Sequence, residues 1–288
     1  MNHLLCYKQM PIWTAQTLPE AFRKQHNTKV GTWAKLLIKK GKLKFYELNE
    51  AGEELNATIF DTDNQPPFVE PQLWHRVEPA SDDLECQLSF YCLPEDYYTK
   101  KYALSAVHSE VLELKQYIRA GKALDLGCGR GRNALYLGLQ GFDVTAVDSH
   151  AESISTLNAI IEEENIQNIH TGIYDIHQAA IQEKYDLIIS TVVLMFLQRE
   201  RIPDIIANIQ NQTQTGGYNL IVCAMDTADC PCPKPFPFTF KENELLNYYQ
   251  GWKILKYNEN MGRLHKTDAN GNPYEFRFAT LLAQKTDA

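Results

Sequence analysis

The stretch from Ala123 to Asn133, with the sequence ALDLGCGRGRN, most constrains what this chain can fold into. It combines a short apolar strand, a loop with glycine at every second position, and the start of an apolar helix. Glycine allows positive φ in the loop, and it lets a ligand approach the main chain where a Cβ would block it. The free N–H groups that open the helix face such a ligand. The stretch therefore predicts a βαβ unit that binds a nucleoside.

Two acidic residues indicate which nucleoside this unit binds. The dinucleotide fingerprint G-x-G-x-x-G would need glycine or alanine at the position of Arg132. Asp125, just before the turn, instead suits a ligand with an ammonium group and no pyrophosphate. The next predicted strand, 142–147, ends in Asp148, where a carboxylate can accept both hydroxyls of a ribose.

This pattern resembles motif I of class I S-adenosylmethionine (SAM) methyltransferases. A nicotinamide site and a glycine-rich turn without a ligand remain the alternatives. The resemblance implies a doubly wound, mostly parallel sheet that ends in an antiparallel hairpin, formed here by 252–257 and 274–284. With SAM as cofactor, the predicted cofactor-binding residues are Tyr102, Asp125, Gly127, Gly129, Gly131, Arg132, Asn133, Asp148, Asp175, Ile176 and Thr191.

Composition narrows the class of protein further. The net charge of −8 argues against a nucleic-acid substrate, because phosphate contacts need a basic footprint. No apolar run reaches the roughly 18 residues of a membrane span, and the N-terminus lacks the pattern of a signal peptide. Seven cysteines without C-x-x-C pairs fit reduced thiols. We therefore expect a cytoplasmic protein without a membrane or nucleic-acid partner.

Residues 1–93 predict a separate, small all-β domain. Short alternating runs are broken by Gly, Pro, Asn and Asp, as is typical of an antiparallel sandwich or barrel. The segment 66–77 looks like part of a cupin-type barrel. Cupin metal sites gather several histidines, whereas His75 stands alone with His26 far upstream, so we predict a structural histidine and no metal.

Residues 94–288 are then the predicted methyltransferase domain. We expect a helix over 103–119. The resemblance to class I methyltransferases implies that this helix lies across the cofactor mouth, with Tyr102 and His108 lining the pocket; the alternative is that the tyrosines pack the helix against the barrel. The Pro- and Phe-rich segment 226–238 predicts a stiff surface lid. Its Cys230 and Cys232 form only a weak C-x-C pattern, and a part for them in the chemistry stays open.

Six strings together resemble the tellurite-resistance methyltransferases, the TehB family, and all but the first lie outside the generic motif. They are 125–133, 190–197, 203–209, 216–222, 225–229 and 264–271. The resemblance implies SAM-dependent methylation of tellurite, with selenite as a close variant, to volatile methylated species. It also implies that the N-terminal part is the cupin-like domain of the longer members. Pro273 departs from the family pattern, in which a basic residue often follows Asn-Gly-Asn.

A tellurium centre with a lone pair need not lose a proton, so no general base is obligatory and the anion must be positioned instead. We predict that His265 and Arg277 position the oxyanion, with Arg263 and Lys266 in reserve. One rival is methylation of an organic thiol or thiopurine in a pocket of Met195, Phe196, Phe236 and Phe238. Another is a non-catalytic SAM-binding sensor. A homodimer is compatible with the sequence.

Overall fold

The computed structural model describes residues 3–267 and 271–287, and for 264–267 it describes the backbone alone. The chain divides into two compact units, 1–106 and 107–288. The division lies thirteen residues after the predicted boundary at 93/94. The first unit includes helix Tyr97–Tyr102, whose Lys100 Nζ donates a hydrogen bond to Thr32 Oγ1 at 3.0 Å. Which segment folds independently therefore stays a prediction.

The first unit contains two three-stranded antiparallel sheets, with strand orders β1-β6-β2 and β4-β3-β5. Its elements are β1 (Leu5–Thr14), α1 (Glu20–Arg23), β2 (Trp33–Lys40), β3 (Leu43–Leu48), β4 (Glu54–Phe60), β5 (His75–Pro79), β6 (Glu85–Cys92) and α2 (Tyr97–Tyr102). The predicted all-β domain is confirmed as a unit of antiparallel strands.

Alternation along the strands builds the core of the first unit. In β2, Ala34, Leu36 and Ile38 are buried, and Lys39 points to solvent. In β3, Leu43 and Phe45 are buried as well, and the buried apolar residues of the two sheets form one cluster. A period of two in a half-buried strand has this effect because successive side chains point to opposite faces.

The second unit alternates strands and helices around one sheet. Its elements are α3 (Ser109–Glu113), β7 (Lys122–Leu126), α4 (Arg132–Leu139), β8 (Asp143–Asp148), α5 (Ala151–Glu163), β9 (Ile169–Ile173), β10 (Tyr185–Thr191), α6 (Ile202–Gln212), β11 (Thr213–Ala224), α7 (Glu244–Tyr248), β12 (Lys253–Asn258), β13 (Met261–Thr267) and β14 (Pro273–Gln284). Among the residues that the structure describes, no helix has the length and apolar character needed to cross a membrane.

The sheet of the second unit has the order β12-β14-β11-β10-β7-β8-β9, with β13 paired to β14. Strands β7 to β11 run parallel, and β12 and β14 pair antiparallel at the far edge. The chain moves outward from β7 to β9 and then returns to β10 on the other side of β7. Ligands of doubly wound sheets bind outside the carboxyl ends of the strands at such a reversal. The predicted fold class is confirmed.

One local prediction was wrong, and another was incomplete. The expected helix over 103–119 is only α3 followed by a turn of 3₁₀ helix at 114–116, because Ala103 adopts left-handed backbone with φ 53° and ends α2. The expected closing hairpin has a third strand, β13, which lies between β12 and β14 in the chain. This strand brings Arg263 to the sheet edge.

Candidate active site

The glycine loop after β7 is held by main-chain hydrogen bonds to the neighbouring strand. The N–H groups of Gly127 and Cys128 both donate to Val147 O, at 2.8 and 2.9 Å. The N–H of Gly129 donates to Asp148 Oδ2 at 2.8 Å. The other carboxylate oxygen of Asp148 accepts from His150 N at 2.9 Å. Asp148 therefore ties the loop to the end of β8, and its contact with a ribose stays a prediction.

The glycines of this loop have different surroundings. A Cβ at Gly131 would lie 2.4 Å from Leu157 Cδ1, and one at Gly127 would lie 2.6 Å from Val193, so packing excludes side chains there. At Gly129, with φ +54°, a Cβ would meet nothing within 4 Å. Hydrogen bonds fix the backbone of the loop, and the space beside Gly129 is open, so a cofactor can approach the main chain there. We call this open space the cradle.

Asp125 is the penultimate residue of β7, its side chain is almost fully buried, and its Oδ2 has no hydrogen-bond partner in the described structure. Burial raises the pKa of Asp125 to about 7, and Asp148 adds to the rise, whereas Arg132 and the N–H of Ala134 oppose it. A buried carboxylate with one oxygen unsatisfied fits the ammonium group of SAM, because unpaired buried acceptors are costly.

The Asp148 crevice lies beyond the ends of β8 and β10 and has a volume of ≈ 360 Å³. Four predicted residues line it: Gly127, Asp148, Asp175 and Ile176. Asp175 Oδ1 accepts hydrogen bonds from His177 N and Nδ1 at 3.0 and 2.9 Å, and these bonds lower its pKa. Sequence reasoning missed Ser149, His150 and His177, which lie in turns with no motif of their own. Val193 and Leu197 also line the crevice.

Two other predicted residues brace the crevice from behind. Asn133 and Thr191 are buried, and Asn133 Nδ2 donates to Thr191 Oγ1 at 3.0 Å. Asn133 Oδ1 accepts from His108 N at 3.0 Å. These two residues position the start of α4 against the end of β10, and neither lines the Asp148 crevice.

A second opening, the Arg132 crevice, has a volume of ≈ 430 Å³. Its lining includes the side chains of Arg132, His108, Lys256 and Arg263. Sequence reasoning missed Lys256, together with Asn258 and Thr280, because they come from the antiparallel edge strands far along the chain. Only strand pairing brings them beside the glycine loop.

Val192 lines both crevices, so the two openings are neighbours. It follows β10 with φ 61°, and its N–H donates to Val222 O at 2.7 Å. Positive φ is a true outlier for a β-branched residue and is typical of functional sites. No sequence signal marks it.

The structure does not bring Arg277 to these crevices. Arg277 Nη2 forms an ion pair with Asp229, and Nη1 donates to Glu259 O at 2.9 Å. It lines a separate opening, the Asp229 cavity, together with Asp226 and Glu259. The side chains of His265 and Lys266 lie outside the described residues. Tyr102 belongs to the first unit, and its place in the site stays a prediction.

The predicted lid and thiol pocket are corrected in part. Phe238 and Phe240 anchor the segment 226–240 in the core, and Met195 is also fully buried. Of the four residues expected to form a thiol pocket, Phe196 is exposed and contacts Phe236 edge to face at 5.5 Å, so two remain available. Burial raises the pKa of Cys232, which lowers its fraction of reactive thiolate.

The fold, the glycine loop after β7 and the carboxylates of Asp125 and Asp148 together define a class I SAM-dependent methyltransferase. The chain belongs to the TehB family: the family model described as "Tellurite resistance protein TehB" matches residues 90–282, and one described as "TehB-like domain" matches 8–88. The chain is 59% identical over 284 residues to a probable SAM-dependent methyltransferase TehB of Haemophilus influenzae, covering 99% of each.

A solved structure agrees with this assignment. The crystal structure of TehB from Haemophilus influenzae superimposes with a TM-score of 0.96 at 58% sequence identity, and 99% of each chain is covered. A further relative, Hemagglutinin 1 of Eikenella corrodens, is 47% identical over 240 residues, which is 83% of this chain and 80% of that protein. SAM is the cofactor of this family, and the non-catalytic sensor is set aside.

Proposed function

We propose that the chain methylates a small oxyanion of tellurium or selenium, tellurite first, in the Arg132 crevice. One observation carries the proposal: Val192 lines both the Asp148 crevice and the Arg132 crevice, and the Arg132 crevice carries Arg132, Lys256 and Arg263 beside one carboxylate, Glu110. A methyl acceptor must meet the donor at such a junction. The family description "Tellurite resistance protein TehB" supports tellurite as the acceptor.

The charges of the Arg132 crevice suit an anion that binds at its rim. Arg263 forms an ion pair with Glu275 in which both side chains are largely exposed. Exposed pairs of this kind contribute about 0 to 1 kcal/mol, so an oxyanion can replace the carboxylate at little cost. Lys256 is held more firmly, because its Nζ contacts Glu110 and Glu113 at 2.6 and 2.8 Å. We therefore assign the rim contact to Arg263.

Arg132 supplies the inner contact. Burial lowers the pKa of its guanidinium, and the nearby Asp125 opposes that effect. A desolvated guanidinium gains from an anion beside it, and its planar fork suits the oxygens of an oxyanion. The sequence-based choice of Arg277 is replaced here, because its ion pair with Asp229 holds it in another cavity. His265 remains a prediction.

The cofactor supplies a methyl group activated by a positively charged sulfur. Asp125 and Asp148 hold the cofactor's polar ends, and Arg132 and Arg263 orient the acceptor. A tellurium or selenium centre with a lone pair needs no general base, and His108 is not placed as one, since its ring accepts the N–H of Glu110 at 3.2 Å. Orientation of the two reactants can contribute several kcal/mol to the rate.

Transfer of a labelled methyl group from SAM to tellurite, selenite and a panel of small thiols tests the proposal. We expect labelled product from tellurite, with turnover at least tenfold lower in Arg263→Gln and in Arg132→Gln. The tenfold figure corresponds to the lower end of the roughly 1.5 to 3 kcal/mol lost with one charge-assisted contact. Arg130→Gln is the matched control, because this exposed arginine of the same loop lines neither crevice.

Affinity for SAM, measured on the same preparations, separates acceptor binding from cofactor binding. Arg263→Gln should leave it within a few-fold, since Arg263 lies outside the Asp148 crevice. Label transferred to thiols but not to tellurite would contradict the proposal and favour the exposed Phe196 as part of an apolar acceptor site. Equal tellurite turnover in Arg263→Gln and Arg130→Gln would remove the anion site from the Arg132 crevice.

A further inference from the structure

The first unit contains a cavity that the methyl-transfer site does not use. This His75 cavity has a volume of ≈ 400 Å³, and its buried walls include Trp13, Leu18, Phe45 and Leu88. We propose that it is a binding site for a small, mainly apolar organic anion whose buried end carries an N–H or O–H donor. The proposal concerns the first unit alone and does not rest on the identity of the methyl acceptor.

Two histidines at the floor of the cavity provide the polar end of the site. The rings of His26 and His75 lie 4.2 Å apart, centroid to centroid. Their main chains exchange hydrogen bonds, with His26 N donating to His75 O at 3.0 Å and His75 N to His26 O at 2.9 Å. Phe45 stacks on His75 at 5.1 Å with an interplanar angle of 10°. The pair is therefore rigidly placed.

The tautomer of both rings follows from their hydrogen bonds. Nδ1 of His26 lies 2.9 Å from Lys24 O, and Nδ1 of His75 lies 2.8 Å from Leu73 O. A carbonyl only accepts, so each Nδ1 carries the proton and each Nε2 presents a lone pair. Neither Nε2 has a hydrogen-bond partner in the described structure. His75 is 5% exposed and lines the cavity, so a ligand donor there would supply the hydrogen bond that its Nε2 lacks.

The charge of the two histidine rings decides whether they bind a hydrogen-bond donor or an anion. Burial lowers the pKa of His26, and it lowers that of His75 to about 4 with help from His26, so both rings are neutral near pH 7. They accept hydrogen bonds and do not attract an anion. The described residues contain no group of three or more His, Cys, Asp or Glu side chains that could hold a metal ion. A hydrogen-bond donor is the partner that the two neutral rings suit.

The rim of the cavity has the opposite character. Lys8 and Lys29 are exposed there, and Lys100 is half-buried and donates to Thr32 Oγ1 at 3.0 Å. The lining residues include no aspartate or glutamate. An anionic group therefore finds three cations at the open end, while an apolar body fills the aromatic interior.

The fluorescent probe 8-anilinonaphthalene-1-sulfonate has all three features: an apolar bicyclic body, one N–H and one sulfonate. Titration of the full chain, saturated with S-adenosylhomocysteine to fill the cofactor site, should show one bound probe per chain with micromolar affinity. His75→Phe keeps the stacking on Phe45 and removes the acceptor, so we expect binding at least tenfold weaker. Lys29→Glu should weaken binding several-fold without touching the core.

Lys39→Glu is the matched control, because Lys39 is an exposed lysine of β2 outside the cavity, and it should bind the probe as the unsubstituted chain does. Circular dichroism of each variant checks that it folds, and Lys29→Glu, which changes only an exposed side chain, keeps the test valid should His75→Phe unfold. Absence of saturable binding, or equal affinity in Lys29→Glu and Lys39→Glu, would overturn the proposal.

Discussion

Asn133 Nδ2 donates a hydrogen bond to Thr191 Oγ1 at 3.0 Å, and both side chains are buried. The bond joins the first turn of α4 to the end of β10. Thr191→Val keeps the shape and leaves the Asn133 amide unsatisfied, which should cost about 1 to 3 kcal/mol. Unfolding in urea measures it. Thr191→Ser should retain most of the stability, and equal loss in both variants would mean that packing, not the hydrogen bond, matters here.

Asp148 should control cofactor affinity more than stability. Its carboxylate accepts the N–H groups of Gly129 and His150 and lines the Asp148 crevice. Asp148→Asn removes the charge from these bonds, and we expect SAM to bind about ten- to a hundredfold more weakly, as loss of a charge-assisted hydrogen bond implies. Calorimetric titration measures this. Asp143→Asn, an exposed change at the start of the same strand, is the control.

Two substitutions in the glycine loop distinguish a glycine that packing requires from a glycine that leaves room for the cofactor. Gly131→Ala should destabilise the fold, because its Cβ would lie 2.4 Å from Leu157. Gly129→Ala has open space around the Cβ and should cost only the roughly 1 to 2 kcal/mol of left-handed backbone. It should nevertheless abolish SAM binding, since the methyl group enters the cradle. Thermal melts and calorimetry on both variants decide this, and normal SAM affinity in Gly129→Ala would place the cofactor elsewhere.

Binding of SAM should depend on pH through Asp125. The carboxyl must be ionised to pair with the ammonium group, and its pKa is raised to about 7. The association constant should therefore rise up to about tenfold per pH unit between pH 5.5 and 7 and then level off, with proton release visible in buffers of different ionisation enthalpy. Asp125→Asn should bind weakly and show no such slope.

Without cofactor, ionisation of the Asp125 carboxyl has the opposite effect: the free energy of unfolding falls as the pH rises. The folded-state pKa of Asp125 lies above its ordinary value of 3.8, so the protonated form favours the fold. That contribution is complete below about pH 4 and is lost as the pH rises towards 7. If the association constant for SAM still rises with pH in Asp125→Asn, the group that titrates is not Asp125.

The first unit should lose stability in mild acid because of His75. Its pKa falls from 6.5 to about 4 on folding, so its contribution is present above pH 6.5 and lost as the pH falls towards 4. The difference corresponds to roughly 3 kcal/mol at about 1.4 kcal/mol per pKa unit. Amide exchange in β3 and β5 at pH 7 and pH 4.5 measures it locally. His75→Phe should flatten the dependence, while His170→Gln, an exposed histidine of the second unit, should not.

The sequence alone determined the nucleoside-binding part of this protein. The glycine spacing, Asp125 and Asp148 lie within 26 residues of one another in a single βαβ unit, so local geometry places them together whatever the rest of the chain does. Alternation of apolar residues likewise determined the antiparallel strands of the first unit. These features depend on short-range backbone rules that a sequence states directly.

The tertiary structure alone decided the acceptor side. Strand pairing brings Lys256 and Arg263 beside Arg132, whereas the same pairing turns Arg277 towards Asp229. The left-handed backbone of Val192 and the facing rings of His26 and His75 also have no local signature. Side-chain partners across a sheet depend on register and on competing counter-ions, and both are set by the folded whole.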